Sequence, residues 1–317
     1  MRSAAPGPAS VGVASLAPLA CLLLAAAAAG QVRGDAELRA EVLGQPLVLR
    51  TTDRTAGAID SVRWGGFEFI DTLDHGRQLQ SALNADVDGV FYAEGYNPTE
   101  AGSRRDHVGP RSTSRLEFLQ VAHGQLQTRS RMAFWLAPGE RTVGGPAQNS
   151  ATLSGHVLNK RVRVGWRDVP NVLDYRVSFV VPGDLPHRLL QFEVLTGYMP
   201  PVFSVPLEFH AAEGRLRPLA PRQGEGPLPV VLSTADGSRA MGVFTPDRPA
   251  GMRGPGYGSF TFPRDRVVKW NCVFRLRSER AIPPAEHPFQ VFVVLGSRAD
   301  CERALVRLHA LNPPASR

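Results

Sequence analysis

The sequence predicts an all-β protein, a large antiparallel β-sandwich with one short helix near its C-terminus. Alternation of apolar and polar residues, which is typical of half-buried strands, recurs through most of the chain. Only the segment from Ser297 to about Leu311 has helical spacing, so helices do not alternate with strands as they do around parallel sheets. The chain has 317 residues, 43% of them hydrophobic, which allows one large β domain or two smaller ones.

The N-terminus has the pattern of a signal peptide. Arg2 precedes the apolar run VGVASLAPLACLLLAAAAA at residues 11–29, and a polar stretch follows Gly30. We therefore expect residues 1–30 to be a signal peptide and the protein to be exported, periplasmic or secreted. The alternative is an uncleaved membrane anchor, but small residues at the end of the run favour cleavage. No later segment is apolar enough to span a membrane, so no membrane contact is expected after cleavage.

Strand patterns continue from residue 57 to residue 295. They include Val62 and Trp64, Phe67 and Phe69, Tyr175 to Phe179, Leu190 to Val194, Val205 to Phe209 and Val268 to Leu276. The nearly continuous apolar run FQVFVVL at 289–295 predicts a strand that is buried on both faces. We interpret residues 35–312 as a single domain, with the Gly- and Pro-rich stretches 138–155 and 211–229 as long loops.

Two cysteines follow the predicted signal peptide. Cys272 alternates with polar neighbours and points into the core, and Cys301 shares a helix face with Leu305 and Leu308. Both thiols face inward and could meet, so the sequence leaves open a disulfide between them or two free core cysteines. No metal site is predicted, because neither a second cysteine pair nor a local histidine cluster accompanies them.

The charge pattern argues against nucleic acid as a partner. The net charge is +7, but the basic residues are scattered and form no run of five or more. Two of the 36 basic residues are lysines, Lys160 and Lys269, and the rest are arginines. The arginines either form a solvated surface or face an acidic ligand, whose carboxylates match the guanidinium fork. The sequence lacks a nucleophile elbow, a zinc-protease motif and a phosphate loop, so no cofactor is expected.

Residues 74–115 contain an unusual density of amides, guanidinium groups and aromatic rings. Sugar recognition uses such groups, because planar polar groups bind vicinal hydroxyls and rings stack on C–H surfaces. We expect the binding of a carbohydrate or polysaccharide by Arg77, Gln78, Tyr96, Asn97, Asp106, His107 and Arg115. The alternatives are a long solvated loop and, for Tyr96 to Gly102, a rigid turn in which Asn97 caps the backbone.

General acid and base groups are also available. The candidate catalytic residues are His75, Glu100, Glu208 and His210, chosen from a wider set that includes His107, His287, Glu193 and Glu286. Glu208 and His210 share one strand face, although two polar residues on a solvent-facing strand look the same. A lyase would use arginines to neutralise a uronate, for which Arg77, Arg104, Arg105 and Arg115 are candidates. A hydrolase would need two carboxylates, and Glu100 could pair with Glu208 or Glu193.

Residues 57–70, GAIDSVRWGGFEFI, resemble the opening of galactose-mutarotase-like proteins. There a strand of similar pattern turns through a glycine into a second strand. The resemblance implies a large β-sandwich with a carbohydrate-facing concave sheet, and it places Arg77 and Arg115 among sugar-contacting loops. Aldose 1-epimerases use a histidine as acid and a late glutamate as base. His210 and Glu286 only follow that order along the chain, so no catalytic role is carried over.

Two classes of function remain from the sequence. One is an exported carbohydrate-active enzyme, an epimerase, lyase or hydrolase, and the other is a non-catalytic glycan-binding or cell-envelope protein. A third alternative is a structural cell-surface protein that uses its sheet for protein contact. Because one fold hosts many activities, the site has to decide between them.

Overall fold

Antiparallel strands fill most of the chain in the computed structural model, which describes residues 32–220 and 222–313. The predicted signal peptide lies outside the described residues. The first strands are β1 (Ala36–Val42), β2 (Gln45–Thr51), β3 (Ile59–Trp64), β4 (Phe67–Glu68), β5 (Leu79–Ala85), β6 (Pro98–Thr99), β7 (Arg115–Ala122), β8 (Gln125–Phe134), β9 (Arg141–Thr142), β10 (Gly145–Pro146) and β11 (Leu153–Trp166). The others are β12 (Val169–Val181), β13 (Leu189–Met199), β14 (Val205–His210), β15 (Arg215–Pro218), β16 (Gly224–Gly226), β17 (Val230–Ser233), β18 (Ala240–Phe244), β19 (Met252–Phe262), β20 (Val267–Arg277) and β21 (Ala285–Gly296). Short 3₁₀ helices cover Asp53–Thr55 and Arg104–Asp106, and the helix α1 covers Arg298–Leu311.

The strands form two layers. In the first layer the order is β1, β2, β3, β5, β13, β20, β19 and β16. In the second layer it is β7, β8, β11, β12, β21, β18, β17, β14 and β15. The short strand β6 joins the layers by pairing with β5 and β8. All these pairs are antiparallel, which confirms the predicted sandwich.

The main core lies between the two layers. Because side chains alternate along a strand, each layer sends every second residue inward. Trp270 and Phe274 from β20 meet Tyr175 and Phe179 from β12 in one buried cluster. Burial of each such side chain contributes about 1.5 to 3 kcal/mol to folding. The prediction that Trp270 belongs to the core is confirmed.

A second core lies between the second layer and helix α1. Phe292 and Val294 on β21 face Leu305 and Leu308 on the helix, whereas Val291 belongs to the main core. The predicted strand buried on both faces is therefore confirmed.

Helix α1 begins with a capping box, because Ser297 and Asp300 satisfy each other's backbone amides. Its predicted extent and buried face are also confirmed, with Cys301, Leu305 and Leu308 buried.

The two stretches predicted as loops contain short strands. Residues 138–155 hold β9, β10 and the start of β11, and residues 211–229 hold β15 and β16. Strands of two to four residues are too short to show an alternating pattern. The Gly and Pro residues of the turns between them therefore dominate the sequence, which predicts loops.

The two cysteines of the described residues are free and buried. Cys272 lies in the main core and Cys301 in the second core, on the two sides of the second layer. The Cys301 thiol donates a hydrogen bond to the Ala240 carbonyl at 3.4 Å. Of the two alternatives that the sequence left open, the structure has the free thiols.

Among the helices of the described residues, none is long and apolar enough to cross a membrane.

Candidate functional site

A cluster of charged side chains lies on the outward face of the first layer, where β13 pairs with β20. The Lys269 Nζ donates to Glu193 Oε1 at 2.6 Å, and Asn271 Nδ2 donates to the same oxygen at 2.6 Å. Glu193 directly precedes a β-bulge, seen as a register shift against both β20 and β5. Bulges re-aim side chains and occur next to active sites. We call the group formed by Glu94, Glu193, Tyr198, Lys269 and Asn271 the Glu193 site.

Lys269 is held between a carboxylate and two aromatic rings. Its ammonium lies 5.0 Å from the Tyr198 ring centre and 5.4 Å from that of Phe260, within the range of cation–π attraction. The side chain is 12% exposed. Burial alone would lower the pKa of Lys269. The charge of Glu193 acts in the opposite direction, and this pKa lies above its usual value, so the ammonium stays protonated at neutral pH.

Glu193 remains ionised for the complementary reason. Burial alone would raise the pKa of this carboxyl, but the Lys269 charge and hydrogen bonds from Lys269 and Asn271 hold it below its usual range. The side chain is 14% exposed, so a ligand on this face can reach it.

Glu94 shows the opposite shift. Burial of its carboxyl raises the pKa of Glu94, against the lowering effects of a Thr142 hydrogen bond and of the Lys269 charge. The charge of Glu193 adds a smaller increase, and Glu94 is an exposed residue of the loop between β5 and β6. The backbone of Glu94 is left-handed, with φ 65°, and its amide donates to Asn84 Oδ1 at 3.1 Å. Non-glycine residues in this conformation cluster at functional sites.

A glycine makes room for the amide that supports Glu193. A Cβ atom at Gly258 on β19 would lie 2.1 Å from Asn271 Oδ1. This oxygen is buried and accepts no hydrogen bond from the described residues.

The arrangement combines a carboxylate, an ammonium and a protonatable carboxyl beside aromatic faces. Two carboxyls whose environments displace their pKa values in opposite directions are the usual pattern of an acid and a base. Among the described residues, no group of three or more His, Cys, Asp or Glu side chains could hold a metal ion.

Glu100, a predicted catalytic residue, lies inside the sandwich instead. Its carboxylate accepts from Lys160 Nζ at 2.5 Å and from the Ser81 amide at 3.1 Å. Both charged side chains are 0% exposed, so Glu100 stabilises the interior and meets no ligand on a surface. The structure brings it together with neither Glu208 nor Glu193.

His75 and Gln78 are also buried. The His75 ring nitrogens lie 2.5 Å from the His107 carbonyl and 2.6 Å from the Arg54 carbonyl. Gln78 donates to the Asp74 carbonyl. These contacts connect loops, and they leave His75 no free nitrogen for a ligand.

Tyr96 and Asn97 point inward as well. Tyr96 packs in T-shaped geometry on Phe134, with ring centres 4.7 Å apart. Asn97 Nδ2 donates to the Leu83 carbonyl at 2.7 Å. The structure thus shows the alternative in which Asn97 caps the backbone, because an amide buried between strands must satisfy their polar groups.

The remaining predicted binding residues make local contacts. Asp106 accepts hydrogen bonds from the Ser103 and Thr113 amides. His107 is left-handed, with φ 46°. Arg77 pairs with Asp71, Asp74 and Asp265, and Arg115 pairs with Glu117. Arg115 and His107 are exposed, whereas Arg77 and Asp106 are half-buried.

The structure brings Glu208 and His210 together as predicted from their shared strand face. His210 Nε2 lies 3.0 Å from Glu208 Oε1 on β14, and an Arg222 nitrogen lies 3.9 Å from the other carboxylate oxygen. Both side chains are half-buried. Their catalytic role stays a prediction.

Sequence reasoning missed most of the Glu193 site. Glu193 was in the wider set of acid–base candidates, but Glu94, Tyr198, Lys269 and Asn271 were not. One signal was available: the chain has only two lysines, and each pairs with a glutamate. In a chain whose other basic residues are all arginines, the two lysines indicate positions that need a compact ammonium rather than a planar guanidinium.

Comparisons with known proteins find similarity in structure only. No family model matches the sequence, and no curated protein matches it. A galactose mutarotase related enzyme from Lactobacillus acidophilus is 12% identical over 83% of this chain and 98% of that chain, with a TM-score of 0.42. The α-galactosidase from Lactobacillus brevis is 9% identical over 87% of this chain and 42% of that chain, with a TM-score of 0.46. The α-galactosidase AgaB from Geobacillus stearothermophilus is 11% identical over 84% and 40%, with a TM-score of 0.45. The first of these belongs to the class of proteins that residues 57–70 resemble, and these similarities leave the activity to be argued from the side chains.

Proposed function

We propose that this protein binds a carbohydrate at the Glu193 site and acts on it by general acid–base chemistry. The observation that carries the proposal is the contact of the Lys269 ammonium with the Glu193 carboxylate beside the rings of Tyr198 and Phe260, on an outward sheet face. Glu193, which is ionised, accepts a proton, and Glu94, which holds its proton to higher pH, donates one.

The other side chains of the site bind and orient the sugar. Lys269 holds Glu193 in place and donates hydrogen bonds to a hydroxyl or to a developing negative charge. Tyr198 and Phe260 offer aromatic faces beside the ammonium, where the C–H surface of a pyranose would stack. Asn271 fixes the orientation of the Glu193 carboxylate through their 2.6 Å hydrogen bond.

The test is product analysis on the full chain. Purified protein is incubated with neutral and acidic glycans, and the products are followed by mass spectrometry and ultraviolet absorbance. New unsaturated ends indicate elimination, new reducing ends without unsaturation indicate hydrolysis, and an unchanged mass with altered configuration indicates epimerisation.

A pair of matched variants assigns the chemistry. Glu193→Gln should lower turnover about 100-fold or more, because a general base contributes about 10²- to 10⁴-fold. Glu41→Gln, the same change at an exposed position on β1, should leave turnover unchanged. Equal turnover in the Glu193→Gln variant and the unmodified protein would overturn the proposal.

One observation favours a second candidate, a non-catalytic glycan-binding protein. Glu193 Oε1 already accepts from both Lys269 and Asn271, which reduces its basicity. Under this alternative Lys269→Met weakens glycan binding, and no glycan in the panel changes in mass or configuration.

We also propose that the protein is exported, on the basis of the apolar run at residues 11–29. Expression of the full chain in a bacterial host and N-terminal sequencing of the product test this. A new N-terminus near residue 30 supports export, and an intact Met1 in the cytoplasmic fraction contradicts it.

A further inference from the structure

Four arginines line a depression on the same outward face as the Glu193 site. The depression has a volume of about 690 Å³ and lies where β13 begins and β20 ends. Its arginines are Arg188, Arg253, Arg275 and Arg277. A neighbouring depression of about 450 Å³ shares Arg253 and Arg275. We call the surface around these four side chains the arginine groove.

The strand register places like charges opposite each other. Arg253 on β19 is the direct partner of Arg275 on β20, and Arg277 follows two residues later on the same face. Like charges directly opposite across strands are destabilising. Such an arrangement is expected where an anionic ligand supplies the missing charge.

Only one of these arginines has a counter-charge within the described residues. Glu225 binds Arg275 in fork geometry, with distances of 2.7 and 2.8 Å. In the same described part of the chain, Arg188, Arg253 and Arg277 form no ion pair.

The acidic side chains of the groove compensate for them only in part. The Asp86 carboxylate is occupied by the backbone amides of Arg188, Leu189 and Gly89. Glu279, the other acidic residue of the lining, is exposed and forms no ion pair with described residues. Four arginines therefore face three carboxylates, those of Asp86, Glu225 and Glu279, and one positive charge is in excess around the two depressions.

We propose that the arginine groove binds the anionic groups, carboxylate or sulfate, of an acidic glycan whose neighbouring sugar lies at the Glu193 site. The inference rests on the proposed function and names its substrate class. Guanidinium groups pair with carboxylate and sulfate through two parallel hydrogen bonds, so the groove selects charge and orientation together.

The spacing along β20 suits one continuous glycan. Arg277, Arg275 and Val273 alternate on the outward face, and Val273 is the register partner of Glu193. At a rise of about 3.3 Å per residue, Arg277 lies about 13 Å along the strand from the level of Glu193. A short oligosaccharide spans that distance.

The test compares acidic with neutral glycans. Binding of polygalacturonate, heparin and dextran to the full chain is measured by titration calorimetry. The Arg253→Ala/Arg277→Ala variant should bind the acidic glycan at least tenfold more weakly, with dextran binding unchanged. The Arg253→Lys/Arg277→Lys variant should recover part of the loss, because it keeps the charge without the fork.

A charge-matched control excludes a general effect of net charge. The Arg163→Ala/Arg215→Ala variant removes two exposed arginines elsewhere and should bind acidic glycan like the unmodified protein. Raising the salt concentration should weaken polygalacturonate or heparin binding less in the groove variant than in this control. A preference for polygalacturonate identifies carboxylate as the ligand group, and a preference for heparin, which carries both groups, shows that sulfate contributes to binding.

Two results overturn the inference. One is unchanged acidic-glycan binding in the Arg253→Ala/Arg277→Ala variant, and the other is an equal loss for dextran and acidic glycans. The proposed function fails separately, when turnover does not depend on Glu193. Glu193-dependent turnover of neutral glycans together with unchanged acidic binding would refute the groove alone.

Discussion

His156 shows how an ionisable residue can belong entirely to the core. Its ring packs against Tyr96 and His187, and neither ring nitrogen has a hydrogen-bond partner within the described residues. Burial, with a smaller effect of His187, lowers the pKa of His156 to about 3. The imidazole is therefore neutral in the folded protein across the physiological range.

We predict that this histidine makes stability fall in mild acid. The unfolded chain binds a proton near pH 6.5, whereas the folded chain does so only near pH 3. The contribution is fully present above about pH 6.5 and is lost as the pH falls towards 3. At about pH 4.5 the loss is at most about 2 to 3 kcal/mol, measured by urea unfolding.

The matched variant is His156→Phe, which keeps an aromatic ring and removes the titration. Between about pH 7 and pH 4.5 the free energy of unfolding should fall less in this variant than in the unmodified protein. The difference between the two losses should be at most about 2 to 3 kcal/mol. Identical pH profiles for the two proteins would contradict the prediction.

Lys269 gives a second prediction at the same scale. In the Lys269→Met variant the pKa of Glu193 should rise by about 1 to 3 units, because an opposite charge in contact with the carboxylate is removed. Carbon-13 NMR of the glutamate carboxyl groups measures the shift without requiring turnover. Arg163→Met, which removes an exposed positive charge elsewhere, serves as the control, and an equal shift of the Glu193 signal in that variant would contradict the argument.

Among the elements, β6 and β11 are joined through a buried ion pair. Glu100 directly follows β6 and meets Lys160 on β11, and the Gly57 carbonyl accepts a further hydrogen bond from Lys160. Removing one partner of such a pair leaves a buried charge without compensation.

We predict that Glu100→Gln and Lys160→Met each destabilise the protein by about 3 to 5 kcal/mol. The double variant should lose clearly less than the sum of the two, because no uncompensated charge remains. Urea unfolding of the four proteins gives the coupling energy. Additive losses would show that the two side chains do not interact.

The strands that the sequence predicted well are the ones that serve the core. Alternation of apolar and polar residues predicted β12 and β13, because a strand buried on one face has apolar side chains at every second position. The continuous apolar run at 289–295 predicted β21, because a strand buried on both faces is apolar throughout. In the segment 74–115 several polar residues satisfy backbone groups inside the protein, as Asn97 does, whereas Arg105 and Arg115 are exposed. The sequence alone does not distinguish a buried asparagine such as Asn97 from an exposed one.

For the whole molecule, the free cysteines give a prediction about redox conditions. Burial raises the pKa of the Cys272 and Cys301 thiols, so neither forms a reactive thiolate in the folded state. In protein that begins after residue 30, a thiol reagent should label neither cysteine under native conditions and both in denaturant. Adding a reductant should leave the Tm unchanged. Absence of labelling in denaturant, or a Tm that falls with reductant, would contradict the free state.

The Glu193 site could not be predicted from the sequence because it depends on the assembly of the first layer. Glu193 and Lys269 are far apart along the chain and meet only through the register of β13 and β20. The bulge that aims Glu193 is also a property of the paired strands. The fold class depends on periodicity, which is local, whereas the site depends on register, which is not.

The position of β21 has a consequence for biosynthesis. This strand, near the C-terminal end of the chain, fills the gap between β12 and β18. Until the ribosome has released it, those two strands lack their shared neighbour, and the apolar surface under helix α1 has no cover. The sandwich therefore closes only after β21 has been synthesised, and pairing across such sequence distances is slow.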